Sequence, residues 1–517
     1  MFYSGAQNTT NLTMGTRFAA AATSTGRPIL TQLAGMRAAA SMWIVLGHFM
    51  TWPRAPFGTL IDRGCVPTGS FILLSGFVTH YAYHGKPYDT RTQVLRYYAR
   101  RFGAILFSYY ATWLLMIALS IGSCALGACV VPGAEFGILP SVKEAVESFF
   151  FVQAFEPIWP YFPNGPAWTI STMGLLWLLY PKLQAWLRRP LQARPFALAA
   201  GAAIACQLPA LLAFFAGCVA PGLGKPYFIS TEAGLWMYHF PPLRLADFVL
   251  GMALAQALAD GRGAPERRAW AWLADGAFVA VFALCQLVPT DPRSGGYPMR
   301  QGYEPFFVSG LQPIVGLFIF ASSCSGACGV GGAGGAGDAG DAGGGSRGSI
   351  AGAIFRHPVL QGLGEYSFQV YLWHWPIGIL VMHLWRRKSA DRTIGMAAPV
   401  LIPYLIGTWL FAAAVSVYAE EPFRKWLRRN IDDWAARREA KEAAHRTNDD
   451  DAGARGVALE TSGRARARVG ALALEEGVGA TALLSSQHPR SDANAPVRLP
   501  ALSVGAPAAM PVFLSIA

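Results

Sequence analysis

Charge is what this chain of 517 residues has least of: 14% of it is Asp, Glu, Lys or Arg, against 53% hydrophobic. A water-soluble protein carries about 25% charged residues, so an array of soluble domains is excluded. The eight cysteines (Cys65, Cys124, Cys129, Cys206, Cys218, Cys285, Cys324 and Cys328) are scattered. Cys324 and Cys328 form a CxxxC with no second ligand pair, so no metal site is expected. Cys124 and Cys129 could pair if they faced a lumen, but buried thiols are the expected state. The first 30 residues lack the apolar core and small-residue cleavage site of a signal peptide. The first membrane helix is expected to act as its own insertion signal, and the N-x-T sequons at Asn8 and Asn11 matter only if the N-terminus is lumenal. The net charge of +12 does not point to nucleic acid. The basic residues sit in short loops and in the tail, where they report orientation and lipid headgroups.

What the chain has in quantity is apolar segments of about 20 residues, each able to cross a hydrocarbon core roughly 30 Å thick. Runs bounded by charge, proline or glycine fall at 33–51, 67–84, 104–123, 167–186, 196–217, 242–259, 271–290, 306–323, 366–385 and 396–419. The expected fold is all-α, a polytopic membrane bundle of about ten transmembrane helices. The sixth run is the weakest, because Arg244 and Asp247 stand at its start. Lys86, Arg91, Arg96, Arg100 and Arg101 follow the second run, Lys182, Arg188, Arg189 and Arg194 the fourth, and Arg262, Arg267 and Arg268 the sixth. The positive-inside rule then places these loops and both termini in the cytosol. Arg386, Arg387, Lys388 and Arg392 disagree, since they follow the ninth run.

Around this membrane domain, 31–428, residues 1–30 read as a flexible leader. Residues 325–350 are a Gly/Ala-rich linker with little side chain to pack. From 429 to 517 the tail is first charged and helix-prone, then mixed in composition and expected to be disordered.

Within the first run, Arg37 and His48 are eleven positions apart. On a helix this returns the side chain to within roughly 20° of its starting direction, some 16 Å further along the axis. Ser41 and Ile44 share that stripe. A cation in a membrane helix costs about 2.5–3.5 kcal/mol on insertion scales, so such residues line cavities or pathways.

Several short motifs follow one another in order. Arg37 and His48 make R-x10-H; Gly69 to Phe77 read GSFILLSGF; Arg96 to Arg101 form a basic stretch; Asn164 to Ser171 read NGPAWTIS, closed by Tyr180-Pro181. Arg244 to Gly251 read RLADFVLG, Gly364 to Pro376 contain GEYS and YLWHWP, and Glu420 to Phe423 read EEPF. Together, over residues 30 to 428, these resemble the motifs of the acyltransferase-3 family of integral-membrane acyltransferases. The resemblance implies transfer of an acyl group, often acetyl, from acyl-CoA as co-substrate to a hydroxyl of a carbohydrate or lipid acceptor, with no tightly bound cofactor. It departs at Met173, where the family often carries glutamate.

The resemblance makes His48 and Arg37 the candidate catalytic residues. A histidine titrating near pH 6.5 can accept a proton from an acceptor hydroxyl, and a guanidinium pairs bidentately with phosphate. Arg100, Arg101, Trp168, Arg244 and His374 are candidates for binding donor or acceptor, and Asp247 and Glu420 are candidate auxiliary acids. The Ser75-Gly76 pair reads most simply as a close-packing site between helices. Two other readings stay open. A transporter would use Arg37 and His48 to line its path, and Met173 is compatible with a catalytically inactive relative.

Overall fold

A computed structural model describes residues 30–50, 57–125, 138–156, 163–219, 236–262, 267–287, 306–326, 348–386 and 396–475. Among these the chain is almost entirely helical and forms no strand. The elements that build the site are α1 (Gln32–Phe49), α2 (Cys65–Tyr83), α3 (Arg91–Phe102), α4 (Leu106–Ala125), α5 (Ile138–Phe149) and α6 (Trp168–Trp186). They continue with α7 (Leu245–Ala259), α8 (Pro358–Glu365), α9 (Ser367–Arg386) and α10 (Glu421–Glu475).

Helix lies in each of the ten apolar runs, and among the described residues six stretches are long and apolar enough to cross a membrane: Leu106–Ala125, Pro195–Leu212, Pro241–Ala259, Arg268–Leu287, Phe306–Ser325 and a window of Ala398–Lys441. The helices α1, α2, α6 and α9 fall short of that, and they carry polar side chains such as Arg37, Ser41, His80, Thr169 and His374. The run at 242–259, the weakest in the sequence, is among the six. Its Arg244 and Asp247 are paired at 2.9 Å, with both side chains fully buried, so neither charge meets lipid.

The core centres on α2 against α7, where Ile72, Leu73, Phe77, Phe248, Leu250 and Met252 are buried. The contact depends on two glycines facing each other's backbones. A Cβ on Gly76 would strike the Phe248 carbonyl, and one on Gly251 would strike the Leu73 carbonyl. Close approach of this kind lets membrane helices gain dispersion energy without a hydrophobic driving force. Gly251→Val is expected to cost about 1–3 kcal/mol through overpacking, read as a lower midpoint for thermal unfolding in detergent.

Several expectations change. The tail does not lose helix after its charged stretch. α10 continues to Glu475, because no proline interrupts the chain between Pro422 and Pro489 and alanine, glutamate and arginine favour the helix. Compactness divides the chain at residue 441, and the unit beyond it is helical as far as it is described, with Glu460 and Arg464 paired at 2.8 Å. Cys124 is disulfide-bonded rather than a buried thiol, whereas Cys65, Cys206, Cys285 and Cys324 are free and buried. The leader with its sequons, most of the 325–350 linker, residues 387–395 and residues 476–517 lie outside the described residues.

The described C-terminal end of the linker is nonetheless secured. Asp275 accepts from the Ser349 hydroxyl at 2.8 Å and from the Ile350 and Ala351 amides at 3.0 and 2.9 Å. One carboxylate thus satisfies the start of the next helix, where backbone N–H groups lack partners.

Candidate active site

The stripe on α1 faces the late helices. Arg37 Nη2 donates to the Gly364 carbonyl at 3.4 Å, Ser41 Oγ donates to the Ser367 carbonyl at 2.9 Å, and His48 Nδ1 lies 2.9 Å from His374 Nε2. The numbers rise together on both sides, so α1 and α9 run parallel. The polar face of α1 meets the start of α9 and, further along, its histidine.

The imidazole pair has a definite proton order. His374 Nδ1 lies 2.7 Å from the Tyr371 carbonyl, which can only accept, so that nitrogen carries the hydrogen. The Nε2 of a neutral His374 is then an acceptor, and His48 Nδ1 must be the donor. This leaves the lone pair of neutral His48 on Nε2. The carbonyl thus sets the tautomer of both rings, as a second partner commonly does for a working histidine. The rings are close to parallel, 4° apart with centroids separated by 5.2 Å.

Aromatic side chains wall this pair. Trp375 stands edge-on to His48 at 5.4 Å. Phe49 packs on Tyr404 at 5.4 Å, and the Tyr404 hydroxyl donates to the His374 carbonyl at 2.8 Å. His48 nevertheless keeps an exposed surface, while Phe49 next to it is buried. The NGPAW turn closes another side. Asn164 Nδ2 donates to the Leu372 carbonyl at 3.2 Å, the Tyr371 hydroxyl donates to the Pro166 carbonyl at 2.7 Å, and Thr169 donates to the Tyr371 hydroxyl at 2.8 Å. Three stretches far apart in sequence therefore meet: the end of α1, the start of α6 and the middle of α9. An imidazole with a free nitrogen in such a setting can take a proton from a hydroxyl.

A family model described as an acyltransferase domain matches residues 30–419, more than half of the chain and all of this assembly. The chain belongs to the acyltransferase-3 family. It is therefore an acyltransferase enzyme, and its apolar helices make it an integral membrane protein. No curated protein and no solved structure matches it.

The acyltransferase distributes the other candidate residues widely. Arg37 lies at the far end of the stripe, with Glu365 acting on it electrostatically and its Nε without a partner among the described residues. Arg100 pairs with Asp432 at 3.2 Å, and Arg96 pairs with Glu439 at 2.9 Å. Arg101 donates to Thr79 and lies 5.4 Å from the centre of the Tyr83 ring. Trp168 is buried against Tyr238 and His239. Arg244, besides its pair with Asp247, donates to Ser309 and to the Val308 carbonyl, and Cys206 donates to Asp247 at 3.2 Å. Glu420 is buried and accepts from Ser108 at 2.8 Å and from Gln369 at 2.9 Å. Met173 sits in the apolar core. Of the candidates, two pairs are brought into contact: Arg244 with Asp247, and His48 with His374.

Residues not singled out beforehand complete the site. Trp375 and Tyr404 carry no sequence signal beyond being aromatic, and the Tyr371 carbonyl is a backbone group. Asn164 did have one: Pro376 deprives Leu372, four residues back, of its helical N–H, so a buried donor had to come from elsewhere.

Proposed function

We propose that this acyltransferase moves an acyl group, acetyl in the first instance, from acyl-CoA to a hydroxyl of a carbohydrate or lipid acceptor, with His48 as general base. The observation that carries the reading is the chain from Tyr371 carbonyl to His374 to His48, which leaves His48 Nε2 as the proton acceptor. The hydroxyl gives its proton to Nε2 as its oxygen attacks the thioester carbonyl. The tetrahedral adduct expels the CoA thiolate, which takes that proton back to leave as the thiol. The proton returns within the site, so no carboxylate is needed beside His48, and methionine at position 173 is compatible with turnover.

Arg37, about 16 Å along the helix from His48 by its rise, is assigned to the donor's phosphates, helped by the field of the α3 arginines. In the proposed topology the termini and the α3 side are cytosolic, and about ten helices span the bilayer. Disulfides persist in oxidising compartments, so the one at Cys124 supports placing the end of α4 on the outer side. Donor and acceptor then approach His48 from opposite faces.

The test supplies labelled acetyl-CoA to the purified protein in lipid nanodiscs with a hydroxyl-bearing pool extracted from membranes. One labelled ester per CoA thiol released is expected. Uptake of label into sealed vesicles without ester formation would replace this reading with a transporter.

A further inference from the structure

α3 carries Arg91, Arg96, Arg100 and Arg101 within twelve residues and has no acidic side chain of its own. Carboxylates reach it from α10, which begins two residues beyond the end of the family match. Asp432 Oδ1 lies 3.2 Å from Arg100 Nη2 and 3.7 Å from Arg96 Nε. Glu439 accepts from Arg96 Nη1 at 2.9 Å and from its Nη2 at 3.5 Å. Arg96 and Arg100 stand about one turn apart on α3, and Asp432 and Glu439 about two turns apart on α10, so each pair shares one helix face.

Packing seats this contact. Ala435, between the two acids, is fully buried, and a Cβ on Gly103 at the end of α3 would strike Leu427 of α10. The charged side chains themselves stay open to water: Arg96 is 28% exposed, Arg100 38%, and Asp432 and Glu439 47% each. Pairs this exposed are weak. A phosphate accepts bidentately from a guanidinium, so it competes for the same N–H groups that the two carboxylates hold.

We propose that the first turns of α10 form an autoinhibitory strap, in which Asp432 and Glu439 compete with the phosphates of acyl-CoA for Arg96 and Arg100. The donor binds as it displaces them, and its affinity is lower than α3 alone would give. Because the strap lies outside the matched domain, this setting of donor affinity belongs to the chain's own extension. The inference rests on the reading that the α3 arginines help to hold the donor's phosphates.

The test measures the Kd of coenzyme A for the full chain in phosphatidylcholine nanodiscs, which add no net charge of their own. In Asp432→Asn/Glu439→Gln the Kd should fall about 3–10-fold, the scale of one or two exposed ion pairs, with the unfolding midpoint little changed. Asp432→Glu, which keeps the charge, should stay near the wild type. The gain should shrink for 3′-dephospho-coenzyme A. From about 50 to 300 mM salt, the Kd of the double variant should rise more steeply than that of the wild type, whose arginines are already partly neutralised; a contact that only holds the two helices together would not change this slope. A Kd unchanged or raised in the acidic double variant, with Arg96→Gln/Arg100→Gln still weakening binding, overturns the proposal and leaves the donor reading standing. Equal tightening in a background of Arg96→Gln/Arg100→Gln also overturns it, since the acids would then act without those arginines. Coenzyme A binding that neither double variant alters, or none in any variant, removes both.

Discussion

His48→Ala is expected to slow acyl transfer by about 10²–10⁴-fold, the usual contribution of a positioned general base, with the unfolding midpoint and the KM for acyl-CoA little changed. The asymmetry follows from the surroundings of the ring. His48 retains exposed surface and, among the described residues, makes one hydrogen bond, to His374, so its removal leaves no large apolar cavity. It removes a group used only as the hydroxyl becomes a nucleophile, and such a loss falls on kcat and kcat/KM together. His374 acts through His48 and is a positioning residue. His374→Phe keeps the bulk but deprives His48 Nδ1–H of its acceptor, freeing the tautomer to invert. Its rate should fall between those of the wild type and His48→Ala. His374→Gln can present Oε1 to the same N–H and should recover part of the loss, which a purely packing role would not predict. Equal activity in the wild type and His48→Ala would end the general-base assignment.

How much of this was legible beforehand depends on the range of the interaction. The spacing of Arg37 and His48 on one helix face is local geometry, and the structure keeps both on the face that meets α8 and α9. That the partner of His48 is a histidine 326 positions away follows from tertiary pairing, which one sequence does not encode in any readable period. The group that orders both tautomers is a backbone carbonyl, and no side chain announces it. The basic stretch at Arg96–Arg101 reads as a phosphate site in isolation. In the folded chain Arg96 and Arg100 already face Asp432 and Glu439, so part of its positive field is neutralised by the protein itself. Exposed ion pairs are worth only about 0–1 kcal/mol, however, so a strongly charged ligand can displace them. The length of α10 was hidden by glycines at 453, 456, 463 and 470. Each lowers helix propensity by about 1 kcal/mol relative to alanine, yet none stops the helix.

The second large effect concerns stability. Arg244→Met and Asp247→Leu, made singly, are each expected to destabilise the protein by about 3–5 kcal/mol, because each strands the other charge in a fully buried site. The double substitution removes both charges together and should recover most of that loss, since a buried ion pair replaced by apolar groups of similar volume is often neutral or stabilising. Ser309, the Val308 carbonyl and Cys206 all bond to this pair, so recovery should be incomplete by roughly the cost of leaving one or two neutral polar groups unsatisfied, about 1–3 kcal/mol. Thermal unfolding in detergent reads the stability, and acetyl transfer by the recovered double variant reads the role. Arg244 and Asp247 spend their polar contacts on each other, on Cys206 and on the π-helical turn at Phe306–Gly310, where they fix the start of α7 in the bundle. If that is their work, the folded double variant should keep the wild-type KM for acyl-CoA. A KM raised 10-fold or more in a stably folded double variant would instead return Arg244 to the donor site.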